Sequence, residues 1–367
     1  LLEKLVTSAY QSSTEADFLL SQLKEDHLKI LNGLFKSVHD EIFGEIETRI
    51  DELNQKLLRL KRAEASYDYF YDQIVSEGEI LATRIIHHFL KHSDIKNTWV
   101  DARECIQTNL KYRNADVQWE KTEELIQSKI QFSKERMYVT QGFIAGAENG
   151  HATTLGREGS DFSAAIFAHV LNAEEVVIWK DVPGLLNADP KFFENTRKLD
   201  NISYHEAVEL AYYGATVIHP KTIKPLQNKK IPLYVKPFAS MEEAGTIIHE
   251  DMGSDSLIPS YIFKPNQVLI SISSRDYSFV MEENLSQIFG YLAEYGIKIN
   301  LMQNSAISFS ICIDHNDEKL ENLVNALKKK YKVLYNTGLE LMTIRHYDQK
   351  TLDLLMGNKE ILVEQRS

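Results

Sequence analysis

Thr153-Thr154-Leu155-Gly156-Arg157-Glu158-Gly159-Ser160-Asp161, followed by Phe162-Ser163-Ala164-Ala165, is a glycine-bearing loop that runs into a helix. The first turn of a helix presents unpaired N–H groups and the positive end of its dipole, which suit a phosphate or a carboxylate. Arg157 adds a planar fork able to grip a carboxylate through two bonds. The same residues also read as a simple cap, with Ser160 or Asp161 closing the helix start. The loop carries neither the P-loop nor the dinucleotide fingerprint.

Around this loop, strand and helix patterns alternate. Met137-Tyr138-Val139-Thr140 is β-like and leads into Gln141-Gly142-Phe143-Ile144-Ala145-Gly146. A helix is expected over 161–171, then a strand at Val176-Val177-Ile178-Trp179 and a turn at Pro183-Gly184. Ser203-Tyr204-His205-Glu206 has the form of a capping box, and Ile231-Pro232-Leu233-Tyr234-Val235 reads as another strand. Such alternation implies an α/β fold whose mainly parallel central sheet is covered by helices on both faces. The run after the 176–179 strand, Lys180-Asp181-Val182-Pro183-Gly184-Leu185-Leu186-Asn187-Ala188-Asp189-Pro190-Lys191, lies where ligands collect in open α/β sheets; by itself it also reads as a surface turn.

Upstream the chain is helical. All eight prolines fall between Pro183 and Pro265, so long regular elements are expected before them. Phe18, Leu19, Leu23, Leu31, Leu34 and Phe35 recur at roughly helical spacing, and Ile42, Ile46, Ile50, Leu53, Leu57 and Leu60 step by 4, 4, 3, 4 and 3. A further helix is expected over 67–92. Within it Ser76-Glu77-Gly78-Glu79 reads as a break between helical stretches with a solvated charged face.

Downstream, 251–264 reads as a linker. Strand, helix, two strands, helix and strand then follow over 265–337, the β-α-β-β-α-β order of a ferredoxin-like unit. A second, incomplete copy is expected over 338–367, starting with a strand at 339–344 and including a short helix and a strand near Ile361-Leu362-Val363.

Composition sets the outer limits. In 367 residues the apolar share is 43% and the charged share 26%, which excludes disorder as the main character. Mean hydropathy is −0.30, and no apolar run reaches the ~20 residues that cross a bilayer. Forty-one basic against 53 acidic residues give a net charge of −12, against a general nucleic-acid binder. Cys105 and Cys312 are the two cysteines; with no metal-ligand spacing they read as buried packing in a reducing cytoplasm, and no secretory leader or metal cluster is expected.

Taken in order, Val139-Thr140-Gln141-Gly142-Phe143-Ile144, the 153–165 run, Ile178-Trp179-Lys180-Asp181-Val182-Pro183-Gly184, Ala188-Asp189-Pro190 and Leu210-Ala211-Tyr212-Tyr213-Gly214-Ala215-Thr216-Val217-Ile218-His219-Pro220 resemble the aspartokinase branch of the amino-acid-kinase family. The tail resembles that family's ACT regulatory domains. In relatives one ACT unit is inserted in the other, which would assign residues near Tyr261 to the second. The resemblance implies an amino-acid-kinase domain over 1–250 and transfer of the ATP γ-phosphoryl group to the β-carboxylate of L-aspartate, with Mg²⁺, at the head of lysine, threonine and methionine synthesis. It implies that Arg157 clasps the substrate's α-carboxylate, Glu79 holds its α-ammonium and Phe143 borders it. Gly159 and Ser160 would lie near the phosphates and Asp161 would orient the cations there. Lys180, Asp181, Leu186, Lys191 and Thr216 would face the nucleotide. An amino-acid effector, lysine or threonine, would sit against Ile299, Asn300 and Ser305, and a homodimer would form through the ACT units.

Several positions depart from the family pattern. The opening lysine-bearing strand and loop is not among these residues; it is expected to precede Leu1, since a parallel sheet without its first strands exposes a long edge. Glu158 replaces a common glycine, Lys180 a threonine, Leu186 an aromatic residue, Lys191 an arginine and Thr216 a lysine. Asn300 and Ala306 stand where lysine-inhibited relatives carry carboxylates. Two other readings therefore remain: a non-catalytic amino-acid sensor on a kinase-like body, and a kinase for another amino acid.

Overall fold

Absence of proline lets the start of the chain run as helix: α1 (Leu2–Tyr10), α2 (Glu15–Leu34), α3 (Glu41–Arg62) and α4 (Tyr67–His92). The structure is a computed structural model that describes residues 1–11, 15–35, 37, 40–63, 65–214, 217–253, 255, 258–276, 282–347 and 359–366. It divides into two units, the first made of Leu1–Trp179, Ile218–Tyr234 and Ile247–Glu250, the second of Lys180–Val217, Val235–Thr246 and Asp251–Ser367.

In the first unit the α3 stripe behaves as its spacing requires, with Ile42, Ile46, Ile50, Leu53, Leu57 and Leu60 all buried. Leu53, Leu57 and Leu60 join Leu5, Val6, Leu19, Leu23, Phe70 and Ile74 in one core; Ile42, Ile46 and Ile50 join Leu31, Leu81 and Ile85 in another. Phe18 is 67% exposed, because it lies one residue, about 100° of helix, off the stripe that carries Leu19 and Leu23. α4 runs without interruption through Ser76-Glu77-Gly78-Glu79, contrary to the expected break. Gly78 has a packing reason instead: a Cβ there would lie 2.6 Å from Leu2 Cδ1, so its absence lets α1 approach α4.

The strands of this unit are short. β1 (Thr98–Trp99) pairs in parallel with β3 (Tyr138–Val139). β2 (Gln107–Thr108) pairs in parallel with β4 (Ile144–Ala147), which pairs antiparallel with β5 (Ala152–Thr154). Helices α5 (Trp119–Lys129) and α6 (Gly159–Leu171) contribute Ile126, Ile166 and Val170 to a core with Cys105, Ile106, Ala145 and Leu155. β6 (Val176–Lys180) closes the 1–179 segment. The Cys105 thiol is fully buried and pushed up to about 12 by desolvation, so it packs and does not react.

In the second unit β7 (Asn201–Ser203) leads into α7 (Tyr204–Tyr213), whose Ser203 cap accepts from Glu206 N at 3.0 Å. The return arm of the box is not made: the Glu206 carboxylate is buried and taken by Arg345, whose Nη2 and Nε donate to it at 2.8 and 2.9 Å. Next in the chain come α8 (Pro220–Lys229), which belongs to the first unit, and β8 (Leu233–Pro237) and β9 (Thr246–His249), whose residues are divided between the two.

The remainder is the ferredoxin-like body: β10 (Ser260–Ser273), α9 (Glu282–Glu294), β11 (Ile299–Asn304), β12 (Ser308–Asp314), α10 (Asp317–Lys328) and β13 (Lys332–Arg345). The sheet order is β11-β12-β10-β13, every neighbour antiparallel. Period-two residues Val268, Ile270 and Ile272 of β10 and Phe309, Ile311 and Ile313 of β12 meet Ile288, Leu292, Leu323 and Leu327 of the helices. Two boundaries differ from expectation. Residues 260–264 are strand and not linker, because 341–345 supply a ladder partner, with Tyr261 opposite Ile344. Residues 339–344 thereby continue β13; Ile361-Leu362-Val363 form no strand, and the expected short helix lies outside the described residues. The register slips between Lys264 and Gln267, where Pro265 has no N–H to donate and Asn266 takes φ 56°.

Candidate active site

The start of α6 is shaped by two glycines packed against one turn. A Cβ on Gly159 would lie 2.8 Å from Phe143 Cδ2, and one on Gly142 would lie 2.9 Å from Ser160 Cα. Phe143 sits at φ 68°, a left-handed conformation uncommon for an aromatic residue. It is held by its own backbone: Phe143 N donates to Ser163 Oγ at 3.0 Å, Ser163 Oγ donates to Gly159 O at 3.0 Å, and Leu155 N donates to Phe143 O at 2.9 Å. Neither Ser160 nor Asp161 is the cap. That position falls to Glu158, at φ 55° and ψ 29°, with no side-chain cap. A left-handed backbone there is the conformation that glycine adopts without strain and that an L-residue adopts only at a cost.

Arg157 is exposed, its Nε 4.0 Å from Glu158 Oε1, beyond hydrogen-bond reach. Ser160 is exposed, and its hydroxyl has no partner among the described residues. Asp161 is buried in the first helical turn, where the dipole favours an anion. A Cβ on Gly156 (φ 81°) would collide with Asn114 Oδ1 at 2.7 Å, so the loop lies flat on the 113–114 turn.

On α4, two glutamates two residues apart have opposite fates. Glu77 pairs with Lys56 Nζ at 2.5 Å and lies 3.6 Å from Arg103 Nη1. Glu79 is half-buried, and among the described residues its carboxylate has no ion pair or hydrogen bond; burial alone pushes its pKa up. Its turn of helix is bolted to the Phe143 loop. Thr83 Oγ1 donates to Glu79 O at 2.8 Å and accepts from Gln141 Nε2 at 2.8 Å and Trp99 Nε1 at 3.1 Å; Gln141 Oε1 accepts from Ala102 N at 2.8 Å. The next residue, Ile80, packs with Ile144, with Phe143 against the same cluster. Glu79, Phe143 and the α6 start are therefore joined through one hydrogen-bonded and packed frame.

In the second unit the run after β6 folds back on itself. Leu185 N donates to Thr246 Oγ1 at 2.8 Å, Leu199 N to Leu185 O at 2.9 Å, and Asn187 N to Arg197 O at 2.9 Å. Leu186 is half-buried opposite Lys198, while Asp181 and Lys191 are exposed. Lys180 is half-buried, its carbonyl accepting from Phe238 N at 2.7 Å. Thr216 lies outside the described residues.

At the expected effector position Asn300 is already consumed. Its Oδ1 accepts from Lys264 Nζ at 2.9 Å, and its Nδ2 donates to Gln267 Oε1 at 2.8 Å and Asp314 Oδ1 at 2.9 Å. Burial pushes Asp314 up, but hydrogen bonds from Gln267 and Asn300 and the charge of Lys264 outweigh it and hold it below its ordinary value. Ile299 is half-buried opposite Ile313; Ser305 closes the β11–β12 turn, its Oγ 2.7 Å from Ser308 Oγ.

The Amino acid kinase family model matches residues 5–237, well over half of the chain. The chain belongs to the amino acid kinase family. It is 32% identical over 244 residues to lysine-sensitive aspartokinase 3 of Escherichia coli, covering 66% of this chain and 54% of that protein. It is 29% identical to chloroplastic aspartokinase 1 of Arabidopsis thaliana, over 89% of this chain and 58% of the relative. The chain thus spans about half the length of these curated relatives. Among solved structures, E. coli aspartokinase III in complex with aspartate and ADP aligns with a TM-score of 0.81 at 26% identity, over 99% of this chain and 84% of that one. The same enzyme with lysine and aspartate aligns at 0.78 and 28%, over 93% and 77%.

Three residues that frame this candidate site escaped the sequence reading. Asp72 is fully buried in α4 and accepts from Arg113 N at 2.9 Å, Thr154 N at 3.0 Å and Thr154 Oγ1 at 2.8 Å; burial raises it, against those bonds. It fixes β5 and the turn beneath Gly156. Gln141 and Thr83 do the same for Phe143 and Glu79. A lone Asp, Gln or Thr in a helix or loop carries no local signal of such a role.

Proposed function

We propose that this chain is the kinase body and part of the regulatory region of an ATP-dependent aspartate kinase, which transfers the γ-phosphoryl group to the β-carboxylate of L-aspartate to give 4-phospho-L-aspartate and ADP. The carrying observation is Glu79, a half-buried carboxylate without a side-chain partner among the described residues, on a helix turn bolted to the loop that shapes the α6 start. A buried charge persists only with a counter-charge, and the α-ammonium of a free amino acid supplies one. Likeness to the E. coli structure that holds aspartate and ADP supports the same ligands here.

On this reading Arg157 clasps the α-carboxylate and Phe143 borders the substrate. The attacking β-carboxylate is already ionised at neutral pH, so no general base is needed. What remains is to hold two anions in line and neutralise shifting charge. Backbone N–H groups at Gly159 and Ser160 and the Ser160 hydroxyl serve the phosphates, and Lys180, Asp181, Leu186, Lys191 and Thr216 serve the nucleotide. Asp161, a carboxylate in the first turn of α6, would help hold the Mg²⁺ that comes with ATP, and the ion would supply neutralisation of the phosphate charge. An amino-acid effector such as lysine or threonine, pairing of ACT units in a homodimer, and a cytoplasmic setting belong to the same reading.

An aspartate- and Mg-ATP-dependent hydroxamate assay tests it. Hydroxamate formed only when aspartate is present supports the kinase; none at any aspartate concentration would leave the amino-acid sensor.

A further inference from the structure

The 186–193 segment has no helix or long strand of its own, yet Asn187 and Ala188 are buried. Its bed is the first half of β10. Tyr261 N donates to Asn187 O at 2.6 Å, Ala188 makes a parallel bridge with Tyr261, and Asn187 Nδ2 donates to Pro259 O at 2.8 Å. Beyond Ala188 the chain turns on Asp189, whose Oδ1 accepts from Lys191 N at 2.8 Å and whose carbonyl accepts from Phe192 N and Phe193 N. The turn then lays two rings on the same strand: Phe192 on Phe263 with centroids 4.7 Å apart, and Phe193 on Tyr261 at 5.7 Å. One residue on, Lys264 lies so close to Gly214 that a Cβ there would be 2.6 Å from Lys264 Cε. Gly214 ends α7, two residues before Thr216. The 186–193 segment and the end of α7 at Gly214 thus touch one strand at neighbouring positions, and that strand continues into the ferredoxin-like sheet.

We propose that Tyr261, Phe263 and Lys264 are positioning residues for the nucleotide: β10 sets where the 186–193 segment and Gly214, at the end of α7, stand, and so sets affinity for Mg-ATP but not for aspartate. The proposal rests on the aspartate-kinase reading. An irregular segment of this length takes its geometry from what it packs on. Here that is a ladder strand whose far half is locked by Val268, Ile270 and Ile272 in the core.

The test uses the full chain. Mg-ADP affinity is measured by calorimetry, and KM for Mg-ATP and for aspartate in the hydroxamate assay, for Phe192→Ala, Phe263→Ala, their double variant and Phe263→Tyr. Phe192 is 47% exposed, so its truncation leaves the core intact should Phe263→Ala fold poorly. Each single alanine is expected to weaken Mg-ADP and raise KM for Mg-ATP by about three- to tenfold, the worth of one ring pair. KM for aspartate stays put, the double variant adds little to either single, and Phe263→Tyr restores affinity. If wild type binds Mg-ADP and Phe192→Ala binds it equally well, the positioning role is refuted while the kinase stands. A parallel rise in both KM values with a lowered melting temperature also refutes it, as a general loss of structure. Wild type that neither binds Mg-ADP nor makes hydroxamate overturns the kinase reading and this proposal with it.

Discussion

The α6 start and the Asn300 cluster are both polar positions at the edge of a packed core, and they manage their polar groups in opposite ways. At the first, Arg157, Ser160 and Glu79 make no close side-chain bond among the described residues, while the backbone beneath them is tightly fixed. At the second, Asn300 spends its oxygen and its amino group on Lys264, Gln267 and Asp314. A preorganised frame with unspent polar groups suits binding, since the ligand completes the bonds. A self-satisfied cluster is stable alone, and a ligand must replace bonds to enter.

The largest break in this contrast is expected from Gly159→Ala. Its methyl group would stand 2.8 Å from Phe143 Cδ2 and 3.2 Å from Phe143 Cα, so the Phe143 turn or the helix start must move. Overpacking of this kind costs about 1–3 kcal/mol of stability. A shift of the phosphate-facing turn lowers kcat/KM about a hundredfold. Urea titration and the hydroxamate assay read both. Glu79→Gln follows: it keeps shape and removes charge, and KM for aspartate should rise about ten- to a hundredfold with KM for Mg-ATP unchanged. Stability should move the other way. A carboxyl whose folded pKa is raised contributes most below the ordinary glutamate range and loses that contribution as pH rises through its folded value. Ligand-free wild type should therefore lose stability across that window, and Glu79→Gln should not.

What could be read from the sequence follows how local each signal is. The α3 stripe, the bounds of the 67–92 helix and the β-α-β-β-α-β order rest on periodicity, and they stand in the structure within a few residues, although the break expected at 76–79 does not. The extent of β10 does not: 260–264 are strand only because 341–345, some eighty residues away, pair with them. The same holds within the site. The loop from Gly156 to Asp161 stood out as a compact motif, whereas nothing local separates Glu79 from Glu77 except helix geometry, which turns one toward Lys56 and Arg103 and leaves the other without a partner among the described residues. Apart from bonds of Thr83 within its own helix, as to Glu79 four residues away, Asp72, Thr83 and Gln141 act through partners between 16 and 82 residues distant, beyond any motif.

Asn300→Asp probes the satisfied side. The carboxylate keeps an acceptor for Lys264 but loses both donors and faces Asp314. A loss of about 1–2 kcal/mol is expected at neutral pH, shrinking as pH falls through the carboxylate range; thermal melts against pH measure it. If stability is unchanged, the cluster is not the closed unit it is taken to be here.

Glu158→Gly should give the smallest effect and the finest distinction. An L-residue in the left-handed region costs about 1–2 kcal/mol, and glycine removes that strain while losing about 0.5–1 kcal/mol more in backbone entropy. Stability should therefore change by less than about 1 kcal/mol. The lost carboxylate matters more for anions: at this half-buried, water-reached site its repulsion is worth about 1 kcal/mol, so KM for Mg-ATP should fall about two- to fivefold at low salt, and less as salt screens the charge. Glu158→Gln separates the two causes, because it removes the charge and keeps the strained backbone. The same fall in KM for both variants assigns the effect to charge. A fall for glycine alone assigns it to the backbone, and the α6 start would then be preorganised by strain at this residue as well as by its packing on Phe143.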